Sequence, residues 1–185
     1  MAQVFITDYI DNPNLEQGVL ADSVSIKSNV DTEVLLVWHQ HIDGQYLDQF
    51  PKLKGVVRYG VGFDKIDLEE IRSRGLVFCN TPDYGTDEVS DTALAMMLSL
   101  LRGVFAYNIL SKGYSNTWQE NTIEKLRRVS GLTLGVIGAG RIGTALMRKT
   151  KALSMNIVFY DPYKDSGYEK AIGVNRCYDL EEFLI

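Results

Sequence analysis

The chain of 185 residues is long enough for one domain or two small ones; 45% of it is hydrophobic, and its net charge of −5 comes from interspersed acidic and basic groups. No basic patch is present to draw in nucleic acid, and no run of about 18 apolar residues could span a membrane. With no apolar leader in the opening MAQVFITDYID, the expectation is a cytoplasmic protein.

Short β-rich runs lead the chain, at residues 4–7, 24–27, 34–38, 56–59 and 77–80, separated by helical patterns at 15–20, 44–50 and 68–74. Strand and helix alternating at this spacing predict a parallel sheet covered on both faces, because parallel neighbours need a crossover between them. Five such strands predict a flavodoxin-like α/β unit. Asp67 followed by Glu70 reads as a capping-box start, and Gly75 ends that helix where a left-handed residue costs least.

A long helix is expected from Thr86, with Asp87 and Glu88 in its first turn, running on through ALAMMLSLLRGVFAYNIL. Its apolar residues are too dense for one face, so it is expected to be buried on two sides, lying between two bodies or at a subunit contact, with Met96 and Met97 as packing residues. Residues 111–130, carrying Trp118, Lys125, Arg127 and Arg128, read as an arm or linker. The βαβ rhythm then restarts with a strand at 133–137, a helix at 141–153 burying Ile142, Ala145, Leu146 and Leu153, a second strand at 156–160 and a short helix at 180–184. The expected domains are 1–98 and 99–185. No repeat or low-complexity segment interrupts them. Cys79 and Cys177 stand far apart, outside any metal-ligand spacing and beside apolar runs, which predicts buried, reduced thiols.

The chemistry concentrates in LGVIGAGRIG, residues 134–143. Gly138 ends a strand and permits a tight turn, Gly140 lets a pyrophosphate approach the backbone, and Gly143 lets helix pack on strand. The N–H groups of the new helix, near Arg141 and Ile142, are placed to hold phosphates. Asp161, eighteen residues after Gly143 and followed by Pro162, ends the next strand, where its carboxylate can accept both adenine-ribose hydroxyls. That arrangement favours NAD over NADP, with Lys164 the nearest cation. The plainer alternative is a tight βα turn with a surface aspartate.

Two ordered blocks, 53–102 with RYGVGFD and 130–163 with the glycine fingerprint and FYDPY, resemble the D-isomer-specific 2-hydroxyacid dehydrogenases, particularly their C-terminal-binding-protein-like branch. The resemblance implies a flavodoxin-like substrate-binding domain followed by the first half of a Rossmann NAD-binding domain. It implies hydride transfer between a 2-hydroxy acid and a 2-keto acid, NAD as cofactor and a homodimer. Residue by residue, it places the backbone amides of Val61 and Gly62 on the substrate carboxylate, and it makes Val89 a contact on the nicotinamide side. It also implies that Arg58 lines the pocket, the alternative being a strand-end arginine in solvent. Trp38 and His39 end a strand beside the same crevice; His39 either lines the pocket or is structural, His41 is a surface residue, and Asp64 ties the loop down.

Hydride transfer from an alcohol also needs a base, a partner that tunes it and a cation. The family uses a histidine, a glutamate and an arginine from the second half of the NAD domain, and none of the three matches a residue here. The resemblance therefore implies a chain truncated within that domain and inactive alone, with an uncovered sheet edge. Two other readings stay open: an NAD(H)-responsive binding protein of the corepressor kind, and a catalytically dead nucleotide-binding chain.

Overall fold

A computed structural model describes residues 3–113, 123 and 126–185. They form two compact units, 1–84 and 85–185. The units part ahead of the helix that opens at Thr86, whereas the sequence puts the boundary at 98.

The first unit holds β1 (Val4–Ile6), α1 (Asn14–Leu20), β2 (Val24–Ser25), β3 (Val34–Val37), α2 (Gly44–Leu47), β4 (Gly55–Arg58), α3 (Leu68–Ser73) and β5 (Val77–Asn80). All strands are parallel in the order β2-β1-β3-β4-β5, the flavodoxin-like arrangement expected. Side chains alternate between two cores, as strand geometry demands. Phe5, Leu35, Val37 and Val56 pack with Ile42, Leu47, Phe50 and Ile71, while Val4, Ile6 and Leu36 pack with Val24 on the other face. Burial on both faces is why these strands read as unbroken apolar runs.

Capping follows the sequence only in part. Asp67 caps α3 by accepting the N–H groups of Glu69 and Glu70, both at 3.0 Å, and Gly75 is left-handed. The Glu70 carboxylate does not close the box; it binds Arg74 at 3.0 Å, and Arg74 also reaches Asp48. Several strands are shorter than expected at their carboxyl ends; past β2 and β3 the Lys27 and Trp38 N–H groups turn to the side chains of Ser25 and Asp8. Cys79 is exposed rather than buried, because β5 is an edge strand that turns Phe78 inward and Val77 and Cys79 outward. Cys177 is half-buried, not buried, with its thiol on the Asp179 carbonyl.

The second unit holds α4 (Thr86–Leu101), α5 (Val104–Ser111), β6 (Thr133–Ile137), α6 (Arg141–Thr150), a 3-10 turn (Lys151–Leu153), β7 (Asn156–Tyr160), α7 (Tyr168–Ile172), β8 (Asn175–Cys177) and α8 (Leu180–Leu184). The sheet is parallel in the order β6-β7-β8, as in the first half of a Rossmann domain. The expected continuous helix is broken at left-handed Gly103, where α4 and α5 bend by 62°. Among the described residues no single helix is long and apolar enough to cross a membrane.

Within the single chain Ser90 is the one fully buried residue of α4, while Met96 is exposed and Leu100 is 82% exposed. The helix has one covered stripe, clamped to α6 by Lys149, which donates to Asp87, Ser90 and Asp91 at 3.1, 2.8 and 2.6 Å. Ala93, Leu94, Met97, Leu98 and Leu101 are half-buried. Trp118 and Lys125 of the expected arm lie outside the described residues.

On α6 the buried residues are Met147 and Thr150, while Ile142 is exposed and Ala145, Leu146 and Leu153 are only half-buried. Positions 143, 147 and 150 share one helical face, and close approach of Gly143 to β6 turns that face inward. β8 and α7 are absent from the sequence reading, since Asn-Arg-Cys carries no β-branched or alternating signal. Replacing fully buried Leu35 by Ala is expected to cost about 2–5 kcal/mol in urea unfolding. Cys79→Ser, on the exposed side of β5, is expected to stay within about 0.5 kcal/mol of the parent.

Candidate active site

The second unit's site is built on the β6–α6 turn. Gly138 has φ +89, available without strain only to glycine, and its N–H donates to the Tyr160 carbonyl at 2.8 Å. A Cβ on Gly143 would collide with the Gly138 carbonyl oxygen, so the third glycine is required by helix–strand contact. Gly140 has open space around it and caps α6 in an extended conformation. Among the described residues the N–H groups of Gly140, Arg141, Ile142 and Gly143 find no acceptor, leaving a row of donors at the positive end of a ten-residue helix.

Beside it opens a groove of about 450 Å³ whose lining includes Gly140, Arg141, Thr144, Arg148, Lys164 and Tyr168, with Asp87, whose carboxylate is paired to Lys149, on its α4 side. The Thr144 and Tyr168 hydroxyls bond each other at 2.5 Å, and Lys164 lies 4.7 Å over the Tyr168 ring. Three cations and free amides suit a diphosphate; a Cβ-free Gly140 leaves room for it. These residues fit a dinucleotide's pyrophosphate. Val89, in the first turns of α4, is exposed.

Asp161 is only 9% exposed, and both carboxylate oxygens are held by backbone: Oδ2 by the Ala139 N–H at 2.7 Å and Oδ1 by the Tyr163 N–H at 2.9 Å. Burial works to raise its pKa, but the amides of Tyr163 and Ala139, with the charges of Lys164 and Arg176, outweigh burial and hold the carboxyl below its usual range. Asp161 therefore stays ionised. Each oxygen keeps a lone pair for a further donor, and Pro162 follows it exposed on the surface.

The first unit's candidate residues gather at the carboxyl ends of β1, β3 and β4. This edge includes the β1/β3 switch point, where open α/β sheets place ligands. In RYGVGFD, Val61 and Gly62 are exposed residues, and their N–H groups have no acceptor among the described residues. The loop is tied by Asn80, which donates to the Val61 carbonyl at 2.8 Å, and by the Thr81 N–H on the Gly60 carbonyl at 3.2 Å. Asp64, expected to do that tying, makes no side-chain hydrogen bond among the described residues. Arg58 is half-buried and folds over Gly60, donating to the Tyr59 carbonyl, so its cation lies on the loop.

His39 is exposed, its ring 4.6 Å from Tyr9 and 6.2 Å from Trp38. His41 is exposed as well, 3.8 Å from Asp43. Behind them, Asp8 accepts the N–H groups of Trp38 at 3.0 Å and His39 at 2.6 Å, and the Thr7 hydroxyl at 2.6 Å. Burial pushes the Asp8 pKa up, yet the Thr7 hydroxyl and the amides of His39, Trp38 and Gln40 together bring it below the ordinary value. Tyr59, edge-on to Trp38 at 5.6 Å, donates to Glu16 at 3.2 Å; burial first, then the Glu16 charge and that bond, push it up to about 12. It remains a protonated donor.

Asp8, Tyr59, Asn80 and Arg176 were missed in the sequence. Asp8 had a signal: FITDY and VFYDPY both place an aspartate directly after an apolar strand. Among the described residues no cluster of three or more His, Cys, Asp or Glu side chains could hold a metal.

These two sites and their sheets define a dehydrogenase-type α/β protein. Residues 7–160 match the sequence family described as D-isomer specific 2-hydroxyacid dehydrogenase, catalytic domain, and the chain belongs to that family. It is 34% identical to a glyoxylate reductase of Thermococcus litoralis over 174 residues, 91% of this chain and 50% of that protein. It is 32% identical to C-terminal-binding protein 1 of Caenorhabditis elegans over 157 residues, 80% of this chain and 21% of that one. Among solved structures, the D-lactate dehydrogenase of Aquifex aeolicus complexed with NAD and lactic acid superimposes with a TM-score of 0.78 at 26% identity, covering 98% of this chain and 57% of that one. An NADPH-dependent glyoxylate/hydroxypyruvate reductase from Sinorhizobium meliloti gives 0.79 at 25% identity, covering 99% and 60%. The chain thus spans half or less of these curated relatives and about three-fifths of these solved structures.

The lowered carboxyl pKa values fix a pH dependence. A group whose folded pKa lies below its unfolded value of about 3.8 stabilises the fold above that value and ceases to do so as pH falls through the folded pKa. As pH falls from about 3.8 through the lower folded values, the parent is expected to lose stability as Asp8 and Asp161 protonate. Asp8→Asn should show a shallower loss, measured by urea midpoint against pH.

Proposed function

We propose that this chain supplies the NAD(H) cradle and the carboxylate-receiving loop of an enzyme that interconverts a small D-2-hydroxy acid and its 2-keto partner. The observation that carries the reading is the row of N–H groups at the glycine turn that find no acceptor among the described residues, together with ionised Asp161, which holds that turn from the end of β7. When bound, NAD(H) supplies or accepts the hydride. The Gly140–Gly143 amides, with Arg141 close by, hold the pyrophosphate; Asp161 and Pro162 border the adenine ribose; Val89 meets the nicotinamide side. The Val61 and Gly62 amides receive the acid's carboxylate, and Arg58 and His39 border that loop. The ionised Asp161 repels a 2′-phosphate, which favours NAD over NADP. A pair of unoccupied amides in RYGVGFD favours an enzyme over a binding protein that merely senses NAD(H).

Two further features belong to this reading. Exposed Leu100, Phe105 and Ile109 of α4 and α5 suit burial in a homodimer, and free Cys79 and Cys177 suit the reducing cytoplasm. The two histidines present are poorly placed as a base: His39 lies against aromatic rings and His41 faces solvent. The 185-residue chain alone is therefore expected to bind NADH without turning it over. Steady NADH consumption with pyruvate or glyoxylate would contradict this.

Gly140→Ala provides the sharper test of the cradle. Its φ is ordinary and a Cβ there meets nothing within 4 Å, so stability should hold within about 1 kcal/mol while NAD+ affinity falls about tenfold or more in calorimetry. Unchanged affinity would remove the pyrophosphate from this turn.

A further inference from the structure

Arg176, on β8, reaches back beneath the segment that follows β7. Its Nη2 donates to the carbonyls of Asp161 at 2.7 Å and Lys164 at 2.8 Å, and its Nη1 to that of Asp165 at 3.2 Å. The side chain is 6% exposed, with the guanidinium 4.7 Å from the Tyr178 ring and 5.7 Å from that of Phe159. The carboxylate that comes within ion-pair reach is distant: Glu169 Oε2 lies 4.0 Å from Nη1, and both that oxygen and Arg176 Nε lack a hydrogen-bond partner among the described residues. A buried cation of this kind draws its compensation from backbone carbonyls rather than from an ion pair. Three carbonyls bound to one rigid planar fork cannot move independently, which a flexible ammonium would allow.

Asp161 is thus fixed twice, its carbonyl by Arg176 and its carboxylate by the Ala139 and Tyr163 amides. We propose that Arg176 is a positioning residue that sets Asp161 for the adenine-ribose hydroxyls of the dinucleotide, an inference resting on the NAD(H) reading above. Because its donors face inward onto the loop, Arg176 offers no cation to a 2′-phosphate.

The test uses the whole 185-residue chain, the variant Arg176→Lys and three ligands in calorimetry: NAD+, its analogue lacking the adenine-ribose 2′-hydroxyl, and inorganic pyrophosphate. Lysine keeps a charge opposite Glu169 but cannot span three carbonyls. The parent should prefer NAD+ to the deoxy analogue by about tenfold, the effect of one hydrogen bond to a carboxylate. In Arg176→Lys the preference should fall to within about twofold while pyrophosphate binding stays unchanged. A merely structural role would weaken all three ligands alike. A retained tenfold preference overturns the proposal. If Arg176→Lys folds poorly, the double variant Arg176→Gln with Glu169→Gln leaves no lone buried charge and carries the same expectations. Failure of the parent to bind NAD+ would contradict the NAD(H) reading itself. Amide exchange would then decide the loop clamp: about tenfold faster exchange at Ala139 and Tyr163 in Arg176→Lys supports it, and unchanged exchange overturns it.

Discussion

The site in the second unit depends on one carboxylate bonded to two backbone amides. Asp161 stands at the end of β7, and its Oδ2 takes the Ala139 N–H from the turn at the end of β6. That bond converts strand pairing into loop geometry: the ladder registers Ile137 with Tyr160, the Gly138 N–H still meets the Tyr160 carbonyl, and at Ala139 the partner becomes the Asp161 side chain. With the turn fixed, Gly138 adopts its left-handed conformation and Gly143 presses α6 on β6. The amides of the first helical turn are left without acceptors. Organising the donors before any anion arrives removes part of the ordering cost of binding.

The first unit uses the same device. Asp8 ends β1 and takes the Trp38 and His39 amides at the end of β3, across the switch point of its sheet. Asp161 is buried and Asp8 half-buried, and in both units the amide partners hold the aspartate ionised against burial. Acidic conditions therefore bear on fold and site together, because protonation weakens the bonds that shape the loops.

Much of this architecture is legible in the sequence because both sheets are parallel. Covered on two faces, they demand apolar runs separated by crossovers, so β6 and β7 stand where the pattern puts them and the five-strand order follows. The glycine turn is legible because each glycine answers a steric demand. What escaped has physical reasons as well. β8 carries Asn175, Arg176 and Cys177, polar residues whose pairing with β7 is decided by tertiary context, and with it went Arg176. The inward face of α6 follows from the contact at Gly143, which helical periodicity alone does not reveal. α4 is apolar enough for a core helix yet largely exposed within its unit, a case in which composition describes surface that its own unit does not cover. The RYGVGFD loop became readable as a candidate site only through resemblance, since backbone amides leave no mark in side-chain pattern.

The central claim is that the turn set by Asp161 and the three glycines is a dinucleotide cradle. Amide chemical shifts of the isotopically labelled chain, followed as NAD+ is added, test it most directly. The account predicts the largest changes at Gly140, Arg141, Ile142 and Gly143, with smaller ones at Ala139 and Tyr163, whose amides already hold Asp161. Saturating shifts elsewhere, with this turn unmoved, would contradict it.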